Sequence, residues 1–76
     1  MRYLTLRQYE YLVSVADAGS LTRAAARLNV SQPSLSVAIT RVEQRLRNPL
    51  FIRGKGAAIV LTPYGHNIVA KARAVL

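Results

Sequence analysis

In the stretch LTRAAARLNVSQPSLSVAITRVEQRLR, residues 21–47, only Asn29 and Val30 separate one helical pattern from the cap of the next. Leu21, Ala24, Ala25 and Leu28 form one stripe of a short helix over 21–28, with Ser20 as its N-cap and alanines that permit close approach of a neighbour. Asn29 suits a left-handed conformation, and Val30 is apolar enough to plug the space between two helices. Ser31 then caps a longer helix, and Pro33 stands in its first turn, where the missing amide hydrogen removes a donor that has no intrahelical partner. Two helices joined by so short a link must cross sharply.

The longer helix has two distinct faces. At about 100° per residue, Leu35, Ile39, Val42 and Leu46 fall on one inward stripe. Pro33, Ser36, Val37, Thr40, Arg41 and Gln44 point the other way, with Gln32 and Arg47 on the flank beside Ser36 and with Ser34, Ala38 and Arg45 on the opposite flank. The opening turn of this outward face is uncharged, in a chain with eleven Lys and Arg against three Asp and Glu and a net charge of +8.

Upstream, Leu6, Tyr9, Leu12, Val13 and Ala16 recur at helical spacing between Thr5 and Ala18, and Gly19 sits where a left-handed cap belongs. Downstream of Asn48-Pro49 the pattern changes to two short apolar segments, 50–53 and 58–61, around Gly54-Lys55-Gly56-Ala57: a small hairpin with a basic tip. Thr62 caps and Pro63 opens a last helix, in which Ile68, Ala72 and Val75 form a stripe edged by Val69 and Leu76. That stripe can cover the domain's own core or offer a second subunit a matching apolar face, and the dimer interface is the expectation carried forward for Ile68, Val69, Ala72, Val75 and Leu76.

A chain of 76 residues has material for one core. Without cysteine it has neither a disulfide framework nor a thiolate metal site. Its longest uninterrupted apolar run, 57–61, is far short of the roughly 20 residues of a membrane helix, and Arg7 interrupts any secretory leader, so a cytoplasmic location is expected. The excess positive charge points to nucleic acid or an anionic membrane surface. Catalysis has little to work with: Glu10 and Asp17 are about 10 Å apart along their helix, and His66 has no second histidine or cysteine to share a metal. No enzyme activity, cofactor or metal is expected.

Helix, tight turn, longer helix with a polar N-terminal face and then a basic hairpin is the order of a winged helix-turn-helix. The expected fold is mainly α: a three-helix core and a two-stranded β wing over residues 1–61, followed by a linker helix from 62 to 76. The second helix of such a motif enters the major groove, which is about 12 Å wide, and its N-terminal residues meet base edges. The positive end of the helix dipole favours a nearby phosphate.

The run LTLRQYEYLVSVADAGSLTRAAARLNVSQPSLSVAITRVEQRL, followed by LFIR and LTPYG, resembles the N-terminal DNA-binding region of LysR-type bacterial transcriptional regulators. The similarity extends from about Leu4 to Ala74. It implies a winged helix-turn-helix ahead of a ligand-sensing domain, with a linker helix through which two subunits pair; a small-molecule effector belongs to that second domain, and these residues are expected to be part of a longer regulator. Position by position, the resemblance implies that Gln32, Pro33 and Ser36 touch bases or the adjoining backbone, and that Thr22, Arg23, Ser31, Ser34, Arg41 and Arg53 supply phosphate contacts or caps. Thr40 joins the backbone contacts from the outward face, and Lys55 reaches the minor groove or its flanking phosphates from the wing tip. At Val37 many relatives carry a long basic or polar residue. Valine instead can meet a thymine methyl, so Val37 is counted with the base contacts.

Gln32 and Ser36 are thus expected to set base preference, and Arg53 to hold phosphate on any sequence. Two other readings of the same residues are a winged-helix adaptor for an acidic protein and a basic amphipathic peptide on anionic membranes.

Overall fold

The computed structural model describes residues 4–76, and each helix starts on a hydroxyl cap. In α1 (Leu6–Ala18) the Thr5 hydroxyl accepts from the Gln8 amide, while the Gln8 side chain accepts from the Thr5 amide, a reciprocal capping box. Ser20 and Ser31 cap α2 (Leu21–Leu28) and α3 (Gln32–Leu46) by accepting from the amides of Arg23 and Ser34. Gly19 and Asn29 close α1 and α2 in the left-handed conformation expected of them, with φ of 64° and 59°. Arg47 closes α3 in the same way at φ 57°, so it leaves the helix instead of continuing its flank beside Ser36.

The wing consists of β1 (Phe51–Arg53) and β2 (Ile59–Leu61), antiparallel, with Phe51 opposite Leu61, Ile52 opposite Val60 and Arg53 opposite Ile59. Thr62 caps α4 (Pro63–Val75). The sequence reading did not anticipate that the α1–α2 link pairs with the wing. Ser20 bridges Ala58, the Ile59 amide donates to the Gly19 carbonyl and the Leu21 amide donates to the Ala57 carbonyl. The start of α2 is therefore tied to the turn end of the hairpin, where β2 begins.

Leu12, Val15, Leu35, Ile39, Val42 and Leu50 are the largest wholly enclosed side chains of a core shared by all four helices and the hairpin. On α1 the buried residues are Tyr9, Leu12 and Val15, whereas Leu6 is 62% exposed and Val13 and Ala16 are only half-buried. Leu6 and Val15 stand about 180° apart on a helix, so a core that takes one excludes the other.

On α4 the dimer expectation needs correction. Ile68, Val69 and Ala72 are buried in this domain's own core against α1, which leaves Val75 and Leu76 as the exposed large apolar residues of that helix end. Through these three residues α4 packs on the core, while its last residues, 73–76, are exposed.

Asp17 on α1 accepts two hydrogen bonds from the Arg73 guanidinium on α4. Those bonds, with a smaller contribution from the charges of Arg73 and Arg27, hold the Asp17 carboxyl below the usual carboxylate range. A depressed carboxyl contributes stability above its unfolded pKa of 3.8, and that contribution disappears as pH falls through the lower folded value. Asp17→Asn should therefore reduce the drop in thermal midpoint between pH 6 and pH 3. The pair is exposed, so the effect should be a degree or two at most. An unchanged acid sensitivity would count against the clamp.

Candidate nucleic-acid interface

Residues 31–40 carry four hydroxyls, Ser31, Ser34, Ser36 and Thr40, each with a bond inside the domain. Ser31 Oγ accepts from the Ser34 amide at 3.2 Å and lies 2.7 Å from Ser34 Oγ, within hydrogen-bond reach. Ser34 is exposed beside it. One turn on, Thr40 Oγ1 donates to the Ser36 carbonyl at 3.0 Å. A phosphate offers only acceptors, and a hydroxyl has a single proton to give. In this arrangement Ser31 is a cap and Thr40 a back-bonded helix residue, and both are exposed.

Pro33, Ser34, Val37, Ala38 and Arg41 line a shallow open trough along α3. Its floor is apolar, with Val37 52% exposed, and Arg41 stands at one end as a cation. Ala38, assigned only to a flank from the sequence, is part of this surface. Gln32 and Ser36 are half-buried on the adjacent side.

The wing meets α3 through Arg53. Strand alternation puts Arg53 on the same face as the buried Phe51, and its Nη1 donates to Ser36 Oγ at 2.6 Å across 17 residues of sequence. Lys55 is exposed at the wing tip, and Thr22 and Arg23 are exposed on the first turn of α2, which the Leu21–Ala57 bond ties to the same turn of the wing.

Glu43 fixes the wing relative to α3. Its Oε2 accepts from the amides of Leu50 and Phe51 at 2.8 and 3.3 Å, so a carboxylate from the last turn of α3 holds the start of β1. Thr62 braces the same segment: its hydroxyl donates to the Pro49 carbonyl and its amide to the Leu50 carbonyl, both at 2.9 Å. No local sequence pattern announces the Glu43 contact. The one available signal is scarcity, since the chain has only three acids. Each is engaged away from the outward face of α3: Glu10 lies 3.9 Å from Arg7, Asp17 is bound to Arg73 and Glu43 binds backbone amides.

The exposed groups are hydroxyl and amide donors at a helix N-terminus, an apolar trough, and cations at its margins. None of the described helices is long and apolar enough to cross a membrane. The sequence profile described as "Bacterial regulatory helix-turn-helix protein, lysR family" matches residues 6–66. The small neutral protease regulatory protein of Streptomyces coelicolor is 47% identical over 73 residues, which is 96% of this chain and 22% of that protein. The HTH-type transcriptional regulator XapR of Escherichia coli is 41% identical over 71 residues, 93% of this chain and 24% of that one. The chain thus spans about a fifth to a quarter of the length of these relatives. Among solved structures, that of the CbnR DNA-binding domain in complex with DNA superposes with a TM-score of 0.89 at 36% identity, covering 95% of this chain and 82% of that one. The chain belongs to the LysR family of bacterial regulatory proteins, of which it forms the winged helix-turn-helix DNA-binding domain.

Proposed function

We propose that this chain reads double-stranded DNA by sequence, with the N-terminal half of α3 in the major groove and the wing on the flanking backbone or minor groove. The observation that carries the reading is the trough of Pro33, Ser34, Val37, Ala38 and Arg41, bordered by Gln32 and Ser36. Gln32 and Ser36 supply hydrogen bonds to base edges, and Pro33 and Val37 give a thymine methyl an apolar seat. Ser34, Arg23, Arg41 and Lys55 hold phosphates, with the dipole of α3 adding to their pull. The solved complex of the CbnR domain with DNA supports this assignment by likeness of fold and sequence.

The protein acts in the cytoplasm as a transcription regulator and not as an enzyme, in line with the regulators it resembles. It binds as a homodimer. With Ile68, Val69 and Ala72 enclosed, pairing through α4 uses its exposed end at Val75 and Leu76. A small-molecule effector belongs to a sensing domain outside these residues.

Selection of bound duplexes from a random pool tests the reading. The expected product is a short motif repeated with two-fold symmetry, half-sites about one or more helical turns apart. Gln32→Ala should relax the preference at one or two positions by about 1–3 kcal/mol. Equal retention of every duplex, or binding to anionic vesicles at physiological salt in place of DNA, would overturn it.

A further inference from the structure

We propose that Arg53 determines base preference by fixing which way the Ser36 hydroxyl works; this deepens, and rests on, the DNA-reading role of α3 given above. A serine hydroxyl has one proton to donate and two lone pairs to accept with, so an unconstrained serine serves an acceptor or a donor on a base edge alike. Here the Arg53 guanidinium occupies one lone pair of Ser36 Oγ at 2.6 Å. The bond is charge-assisted. A positive charge so close opposes the approach of a second N–H, such as the exocyclic amino group of cytosine or adenine, and it polarises the O–H bond toward donation. What Ser36 presents is therefore its proton, suited to purine N7, guanine O6 or thymine O4.

The geometry around the pair keeps this orientation in place. Glu43 pins the start of β1 to α3 through the Leu50 and Phe51 amides, two residues before Arg53. On the other side, Thr40 ties back to the Ser36 carbonyl. The wing thus reaches the base-reading helix through a side chain, besides whatever phosphate its four remaining guanidinium N–H groups take. The division of labour expected from the sequence, with Arg53 on phosphate and Ser36 reading alone, is replaced by one in which the two act as a unit. Arg53 is a positioning residue for Ser36.

The test uses the whole chain unaltered and as Arg53→Ala, Ser36→Ala and the double variant. Each is titrated with the selected duplex and its single-base variants. Both positions are exposed or half-buried, so the variants should unfold at nearly the same temperature as the parent; Arg53→Met, which keeps the side-chain stem, serves if Arg53→Ala does not. At one base pair per half-site the parent should favour an acceptor edge over an amino edge by about 5-fold, the worth of one hydrogen bond. Each single variant should lose that preference, and the double variant should lose no more. Arg53→Ala that weakens every duplex by one factor, with the preference intact, would overturn the inference while leaving DNA reading in place. A double variant whose loss is the product of two independent losses would overturn it too. An unaltered chain that selects no sequence would instead remove the DNA-reading role, and this inference with it, before any substitution is made.

Discussion

Gly65→Ala should lower the thermal midpoint of this domain by about 12–24 °C, corresponding to a loss of roughly 3 kcal/mol in a chain of this size. On propensity alone the sign would be the reverse, since alanine is better than glycine inside a helix by about 1 kcal/mol. The position decides otherwise. A Cβ at Gly65 would lie 2.0 Å from the Leu50 carbonyl oxygen and 2.9 Å from its carbon, and these are backbone atoms that no rotamer change can move. That carbonyl already accepts from the Thr62 amide, and Thr62 Oγ1 both accepts from the Gly65 amide and donates to Pro49. A methyl group therefore pushes α4 away from the one segment that joins α3 to the wing. Thermal or urea unfolding measures the loss. A midpoint at or above that of the parent would mean that α4 does not approach Leu50 so closely.

The same junction shows where sequence reasoning reaches its limit. Thr62 as a cap, Pro63 in the first turn, and the caps at Ser20 and Ser31 were all legible, because each depends on residues three or four apart in the chain. The left-handed ends at Gly19 and Asn29 were legible for a similar reason: few other residues adopt that backbone easily. The α3 stripe of Leu35, Ile39 and Val42 followed from periodicity, since its outward face is polar. On α1 periodicity was ambiguous. Apolar residues lie around most of the helix, and only the position of the other helices chooses Val15 over Leu6. On α4 the stripe was found but its partner was not, because a buried stripe and a dimer seam have the same composition and differ only in what lies opposite.

Of the candidate site, the residue set was largely legible and its wiring was not. Gln32, Pro33, Ser36 and Val37 lie on one face by helical geometry alone. That Ser36 is bonded to Arg53, or that Glu43 holds Leu50 and Phe51, depends on approach of segments 7 to 17 residues apart through a turn and a strand. Hydroxyl roles were equally hidden. Ser31, Ser34, Ser36 and Thr40 look alike in sequence, but Ser31 and Ser34 bond to each other, Ser36 accepts from Arg53 and Thr40 donates back to the helix.

Affinity for the selected duplex should fall roughly 10³- to 10⁴-fold between 50 and 200 mM monovalent salt, a slope of log affinity on log salt of about −5 to −7. Two copies of the domain bring Arg23, Arg41, Arg53 and Lys55 twice each to the duplex. Neutralising roughly 6 to 8 phosphates releases the counterions that set this slope. No acid offsets these groups on the outward face of α3, and the three that the chain has are held by Arg7, Arg73 and the amides of the wing segment. Base contacts contribute little to the slope, since they displace no condensed ions. Gln32→Ala should therefore leave it unchanged while relaxing sequence preference, and Arg41→Ala should lower it by about 2 for the pair while weakening all duplexes alike. Arg53→Ala should do both, because one guanidinium can bind phosphate and Ser36 at once. Filter or fluorescence titrations across four salt concentrations separate the three outcomes. A slope near −1 would mean that the basic surface faces away from the duplex, and the charge of the chain would then need a different partner.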